Sequence, residues 1–88
     1  MSGPGRWVFS PRARRDFRRL DRAVQRRITS ALDRLVADPP RGDIVKLTGT
    51  DDEWRLRVGE WRVRFTRDRE RRLVEVLRVM PRGRAYRD

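Results

Sequence analysis

The sequence predicts an α+β fold: a small antiparallel sheet in the order β-α-α-β-β-β, with the N-terminal helical hairpin packed on one face. Two observations predict it. Two adjoining segments with helical apolar spacing precede three strand-like segments, and residues 54–65 alternate apolar and arginine around a short break. Helices segregated in sequence from hairpin-connected strands are typical of this class. At 88 residues with 36% apolar content, the chain is expected to form one domain over residues 1–88.

The N-terminal half supplies one strand and two helices. Residues 1–5 are expected to form a flexible tail, and residues 6–9 a first strand. Ser10 and Pro11 are typical of an N-cap and a first helical position, which predicts a helix over residues 11–20. Asp21 can cap a second helix, which must end before Asp38-Pro39-Pro40. Its apolar stripe comprises Val24, Ile28, Ala31, Leu32, Leu35 and Val36.

The C-terminal half is expected to supply the remaining strands. Residues 41–52 carry turn-forming and acidic residues and are interpreted as a loop. A hairpin follows over residues 54–65, with Gly59-Glu60 as a type II′ turn. After a reversal near residues 66–72, the nearly continuous apolar run over residues 73–80 is typical of a central strand.

The hairpin turn fixes which side chains share a face. With Gly59-Glu60 as the turn, Arg57 lies opposite Arg62 and Arg55 lies opposite Arg64. Like charges directly opposite each other destabilise a sheet. Four converging guanidiniums therefore predict that an anion or a carboxylate-bearing partner sits over them, since the planar guanidinium matches phosphate.

Composition indicates the class of partner. The chain has 24 basic and 13 acidic residues, a formal charge of +11, which favours nucleic acid or an acidic protein. It has no cysteine and no histidine, so disulfides and thiolate metal sites are excluded, and neither a metal nor a cofactor is expected. There is no apolar run of about 20 residues and no signal-peptide pattern. We expect a cytoplasmic protein that does not bind membranes.

Several segments together resemble a known family. Lys46 to Gly49, the hairpin over residues 54–65, the apolar strand, and Arg82 followed at the fourth position by Tyr86 are similar to the RelE/ParE toxins of bacterial type II toxin–antitoxin pairs. The resemblance covers nearly the whole chain. It implies either of two activities. RelE-like toxins cut messenger RNA in the ribosomal A site by 2′-hydroxyl attack, and ParE-like toxins inhibit DNA gyrase without being enzymes.

The RelE branch is favoured, which implies roles for individual residues. Arg62 matches the arginine assigned to transition-state charge, and Arg82 the arginine that protonates the leaving oxygen. Tyr86 matches a tyrosine that positions or stacks on the nucleotide. The resulting predicted catalytic residues are Arg57, Arg62, Arg82 and Tyr86, and the predicted substrate-binding residues are Arg55, Arg64 and Lys46.

The sequence departs from the family pattern at the hairpin. Trp61 stands where the family usually has tyrosine, and positions 55 and 57 carry arginine where the RelE-type site has lysine. Because arginine does not deprotonate in proteins, it is a poor general base. Proton transfer is left to Glu60, Tyr86, Asp88 or a group of ribosomal RNA.

The resemblance and the charge imply partners. We expect an antitoxin whose acidic, partly disordered segment lies across the sheet or displaces the C-terminal segment, forming a toxin–antitoxin hetero-oligomer. The other expected partners are the ribosome and messenger RNA. Besides the ParE-like activity, a non-toxic basic RNA-binding module or a decayed toxin stays an open alternative.

Overall fold

A computed structural model describes residues 5–49 and 52–83 of the chain. The elements are β1 (Arg6–Phe9), α1 (Pro11–Arg18), α2 (Arg22–Leu35), β2 (Asp43–Lys46), β3 (Glu53–Val58), β4 (Trp61–Asp68) and β5 (Leu73–Pro81). They form one five-stranded sheet in the order β1-β5-β4-β3-β2. The predicted α+β class and its helical hairpin are confirmed.

Two parts of the predicted sheet are wrong. The sheet is mixed, because β1 pairs with β5 in parallel. Residues 41–52, interpreted as a loop, contain the edge strand β2, which pairs antiparallel with β3. The predicted tail is also one residue too long, since the Gly5 amide donates to the Val36 carbonyl at 2.7 Å. Residues 1–4 lie outside the described residues.

The helices begin at the predicted caps. The Ser10 hydroxyl accepts from the Ala13 amide at 3.1 Å, and the Asp21 carboxylate accepts from the Val24 amide at 2.9 Å. Each cap satisfies a backbone donor that the first turn leaves without an intrahelical partner. The first helix is two residues shorter than predicted and ends at Arg18.

The core lies between the helical hairpin and one face of the sheet. The apolar stripe of α2 meets inward-facing residues of β3, β4 and β5, and the fully buried large side chains are Phe65, Ile28, Leu32, Leu35, Leu56, Val63 and Val76. Burying such side chains contributes roughly 1.5–3 kcal/mol each. The helices therefore cover this face, and the opposite face of the hairpin is left to the arginines.

A bulge in β5 is held by α1. Arg64 pairs with Arg78 while Phe65 pairs with Val76, so the register passes over Leu77. The Asp16 carboxylate accepts from Arg78 Nε and from the Val79 amide, both at 2.9 Å. These bonds fix the last part of β5, which leads to Arg82.

Candidate anion-binding site

The β3–β4 hairpin has the predicted register. Val58 lies opposite Trp61, Leu56 opposite Val63 and Trp54 opposite Phe65. Gly59 has a φ of +57°, and Arg72 is the only described non-glycine residue with a positive φ. A positive φ at the first turn residue and a negative one at the second are what a type II′ turn requires.

The arginine face is the sheet surface opposite the helices, formed by Arg55, Arg57, Arg62 and Arg64. Arg57 lies opposite Arg62 and Arg55 opposite Arg64, as predicted. Their burial differs widely. Arg57 is exposed, Arg55 and Arg64 are half-buried, and Arg62 is only 6% exposed.

Arg62 is anchored by the turn that precedes it. Its Nη1 donates to the Gly59 carbonyl at 2.9 Å and to the Trp61 carbonyl at 3.0 Å. Its Nε is buried and has no acceptor among the described residues. A buried donor without an acceptor costs free energy, so an anion that reached Nε would be stabilised by it.

The electrostatics of Arg62 show which cations surround it. Burial lowers the pKa of Arg62, and the guanidiniums of Arg55, Arg57 and Arg82 lower that pKa further, with Glu60 opposing them. Both causes disfavour the charged form of the side chain. Arginine nevertheless stays protonated, so the positive charges of the cluster repel one another. A bound anion would reduce that repulsion.

Arg82 joins this cluster from the end of β5. Its backbone amide donates to the Glu60 carbonyl at 2.8 Å, and the adjacent Pro81 lies opposite Trp61. Its side chain is exposed. The structure therefore brings Arg55, Arg57 and Arg82 close enough to Arg62 to lower its pKa.

Two carboxylates on the arginine face were missed by the sequence analysis. Asp43 Oδ2 lies 2.9 Å from Arg57 Nε, in a pair whose side chains are about half exposed. Glu53 pairs with Arg64, and these side chains are 24% and 14% exposed. The face is thus partly neutralised from within, and Arg64 is engaged by Glu53.

Lys46, a predicted substrate-binding residue, does not join the cluster. Lys46 lies opposite Trp54, and its Nζ is 5.9 Å from the centre of that ring, on the helix-facing side of the sheet. A phosphate contact by Lys46 stays a prediction, but one separate from the arginine face. Tyr86 and Asp88 lie outside the described residues.

The side chains of the arginine face favour anion binding. Residues 5–49 and 52–83 contain no group of three acidic side chains placed to hold a metal ion. Within the same residues, neither helix is long and apolar enough to cross a membrane. The chemistry this arrangement can supply is fixed positive charge around an oriented, desolvated guanidinium.

The chain is similar to toxins of toxin–antitoxin pairs. Residues 8–86 match the family described as the ParE toxin of the type II toxin–antitoxin system parDE. No curated protein matches the sequence.

Solved structures share the whole fold. The archaeal RelE–RelB complex from Pyrococcus horikoshii OT3 matches with 30% identity and a TM-score of 0.76, over 92% of this chain and 98% of that chain. The RelBE2 toxin–antitoxin complex from Mycobacterium tuberculosis matches with 27% identity and a TM-score of 0.78, over 90% and 99%. The intact E. coli RelBE complex matches with 25% identity and a TM-score of 0.69, over 85% and 93%.

Proposed function

The chain belongs to the ParE toxin family of type II toxin–antitoxin systems, within the RelE/ParE superfamily, and we propose that it is a ribosome-dependent messenger RNA endonuclease. The observation that carries this proposal is the environment of Arg62. That guanidinium is buried, oriented by two turn carbonyls and surrounded by Arg55, Arg57 and Arg82. Preorganised positive charge of this kind stabilises the negative charge that develops on a phosphorane during the reaction.

The proposed reaction needs no cofactor. The 2′-oxygen of one nucleotide attacks the adjacent phosphorus, the bond from phosphorus to the 5′-oxygen breaks, and a cyclic phosphate and a 5′-hydroxyl result. Arg62 and Arg57 would stabilise the negative charge that builds on the phosphoryl oxygens. Arg82, exposed beside the turn, would donate a hydrogen bond to the leaving 5′-oxygen while that oxygen takes a proton from water.

We propose that the ribosome is required because the arginines of the site cannot act as the general base. The guanidiniums of the site hold charge but do not accept protons. Glu60 is the described carboxylate at the turn, where it lies close enough to Arg62 to affect its pKa. Glu60, Tyr86, Asp88 or a ribosomal RNA group would take the proton from the 2′-hydroxyl. The proposed activity would be exercised in the cytoplasm, where messenger RNA is translated.

A ParE-like inhibitor of DNA gyrase is the second candidate. The family description that matches the chain names a ParE toxin. Such an inhibitor needs a binding surface and no general base, and the arginine face would serve an acidic protein surface as well as a phosphate.

We also propose an antitoxin as the natural partner. The three similar structures described above are all toxin–antitoxin complexes. An acidic segment laid over the arginine face would compete with Asp43 for Arg57 and offset the repulsion around Arg62. Because that attraction is electrostatic, we expect the affinity to fall steeply as salt rises from about 0.1 to 1 M.

The test is a purified translation reaction on one defined messenger, with 5′ ends mapped by primer extension, with and without ribosomes. Cuts within A-site codons that require ribosomes would support the nuclease. Intact messenger, together with gyrase-dependent DNA breaks in a parallel supercoiling reaction, would contradict it in favour of the ParE-like activity. Harmless expression without any antitoxin would contradict both.

A further inference from the structure

A groove lies along the exposed side of α2, beside the tip of the β3–β4 hairpin. We call it the α2 groove, and it is lined by Ala23, Arg26, Arg27, Ser30, Arg34 and Val58. Its five helical residues are exposed and recur at helical spacing, so they form one stripe. The small side chains of Ala23 and Ser30 leave room between the arginines.

The cations of the α2 groove form no ion pair within residues 5–49 and 52–83. The only acid in α2 is Asp33, whose Oδ1 accepts from Trp7 Nε1 at 2.9 Å, on the side that faces β1. No ion pair among the described residues involves Arg26, Arg27 or Arg34. This differs from the arginine face, where Asp43 and Glu53 supply internal counter-charges.

The α2 groove meets the arginine face at the hairpin turn. A Cβ atom added to Gly59 would lie 2.6 Å from Arg27 Nη2, so this guanidinium rests against the turn from the helical side. From the other side, Arg62 Nη1 donates to the carbonyl of Gly59 at 2.9 Å. A polyanion bound on the arginine face and continuing past the turn would therefore run into the α2 groove.

We propose that the α2 groove binds the sugar–phosphate backbone of RNA outside the nucleotides that react. The inference rests on the proposed function and adds a second contact surface to it. Arg26 and Arg34 are separated by about 12 Å along the helix, a span that covers successive phosphates rather than one. No aromatic side chain lines the groove, so it offers contacts to phosphates and no platform for stacking bases. Binding there would be independent of sequence.

The test compares two triple variants of equal charge. One carries Arg26→Gln, Arg27→Gln and Arg34→Gln in the groove. Its control carries Arg12→Gln, Arg15→Gln and Arg19→Gln, which are exposed in and just after α1, the helix that packs on β1 and β5. Each variant removes three of the +11 formal charges. Circular dichroism and thermal unfolding establish that both remain folded.

Binding is measured to ribosomes carrying a messenger with a 2′-deoxy nucleotide at the reacting position, so that turnover is blocked. We expect the groove variant to bind at least about tenfold more weakly than the control at 0.1 M salt. The slope of log affinity against log salt should fall by about two to three in the groove variant, since each lost phosphate contact removes about 0.7–0.9. In a separate reaction with the cleavable all-ribose messenger, the single-turnover cleavage rate of the groove variant on saturated ribosomes should be unchanged.

Equal losses in both variants would overturn the inference, because total charge would then explain the effect. Unchanged ribosome binding with weakened antitoxin binding would also overturn it, since the groove would then serve an acidic protein. If the wild-type protein fails to bind ribosomes, the inference and the proposed function fail together. Groove-dependent binding without any cleavage would support the inference and contradict the nuclease alone.

Discussion

The two faces of the β3–β4 hairpin come from alternate residues of one short segment, but one face is apolar and the other is cationic. On the helix-facing side, Leu56, Val63 and Phe65 are at most 1% exposed and close the core. On the arginine face, Arg62 is nearly as buried, at 6% exposed, but is surrounded by cations. Burial of apolar side chains on the first face stabilises the fold. Burial of the Arg62 charge on the second face destabilises it.

The arginine face is itself divided. Glu53 holds Arg64 in a largely buried ion pair, and Asp43 holds Arg57 in an exposed one. Arg62 has backbone carbonyls as acceptors and no described carboxylate partner. The ion-paired Arg64 and the proposed functional residue Arg62 therefore lie on the same face, and substitutions can distinguish their roles.

The largest expected effect belongs to the helix-facing side. Phe65→Ala should lower the free energy of unfolding by about 3–5 kcal/mol, because it removes a fully buried ring and leaves a cavity. Urea unfolding followed by circular dichroism measures this. A loss below about 1 kcal/mol would mean that this face does not close the core.

Arg64→Ala should act on stability more than on cleavage. It leaves the carboxylate of Glu53, whose side chain is 24% exposed, without its ion-pair partner. We expect a loss of about 1–3 kcal/mol in unfolding free energy. Pairing the change with Glu53→Gln should restore part of that loss. No recovery in the double variant would contradict the assigned pair.

Gly59→Ala tests the turn that joins β3 to β4, and so affects both faces of the hairpin. A non-glycine residue at a φ of +57° costs about 1–2 kcal/mol. The added methyl group would also displace the flexible end of Arg27. We expect a lower melting temperature and a lower cleavage rate, since the Gly59 carbonyl anchors Arg62. Glu60→Ala, at the next turn position, is the stability control, and an equal loss of stability there would refute the conformational explanation.

Asp43→Asn should have the smallest effect on stability. The pair it breaks is about half exposed, and such pairs contribute roughly 0–1 kcal/mol. Releasing Arg57 should strengthen RNA binding a few-fold at low salt, an effect that filter binding measures. Weaker RNA binding would show that Asp43 orients Arg57 for its ligand instead of competing with it.

The hairpin could be predicted from sequence because one local pattern fixes it. Alternation on both sides of Gly59-Glu60 determines the register and therefore which arginines share a face. The apolar stripe of α2 and the caps Ser10 and Asp21 fixed the helices in the same way. These features depend on residues close together in the chain.

What could not be predicted depends on contacts distant in sequence. Strand β2 has only Ile44 and Val45 as apolar residues and is held by pairing with β3, so no pattern of its own distinguishes it from a loop. Because β2 was not predicted, the ion pair between Asp43 and Arg57 could not be predicted either. The parallel pairing of β1 and β5 likewise leaves no mark on hydrophobic periodicity.

The most direct test of the central claim is the cleavage rate of Arg62→Ala on saturated ribosomes, measured in a single turnover beside the surface control Arg12→Ala. If Arg62 stabilises the reacting phosphate, the rate should fall by about 10²–10³-fold. The control should keep the wild-type rate, and both proteins should remain folded. A rate within a few-fold of wild type in folded Arg62→Ala would contradict the account and leave the arginine face as a binding surface alone.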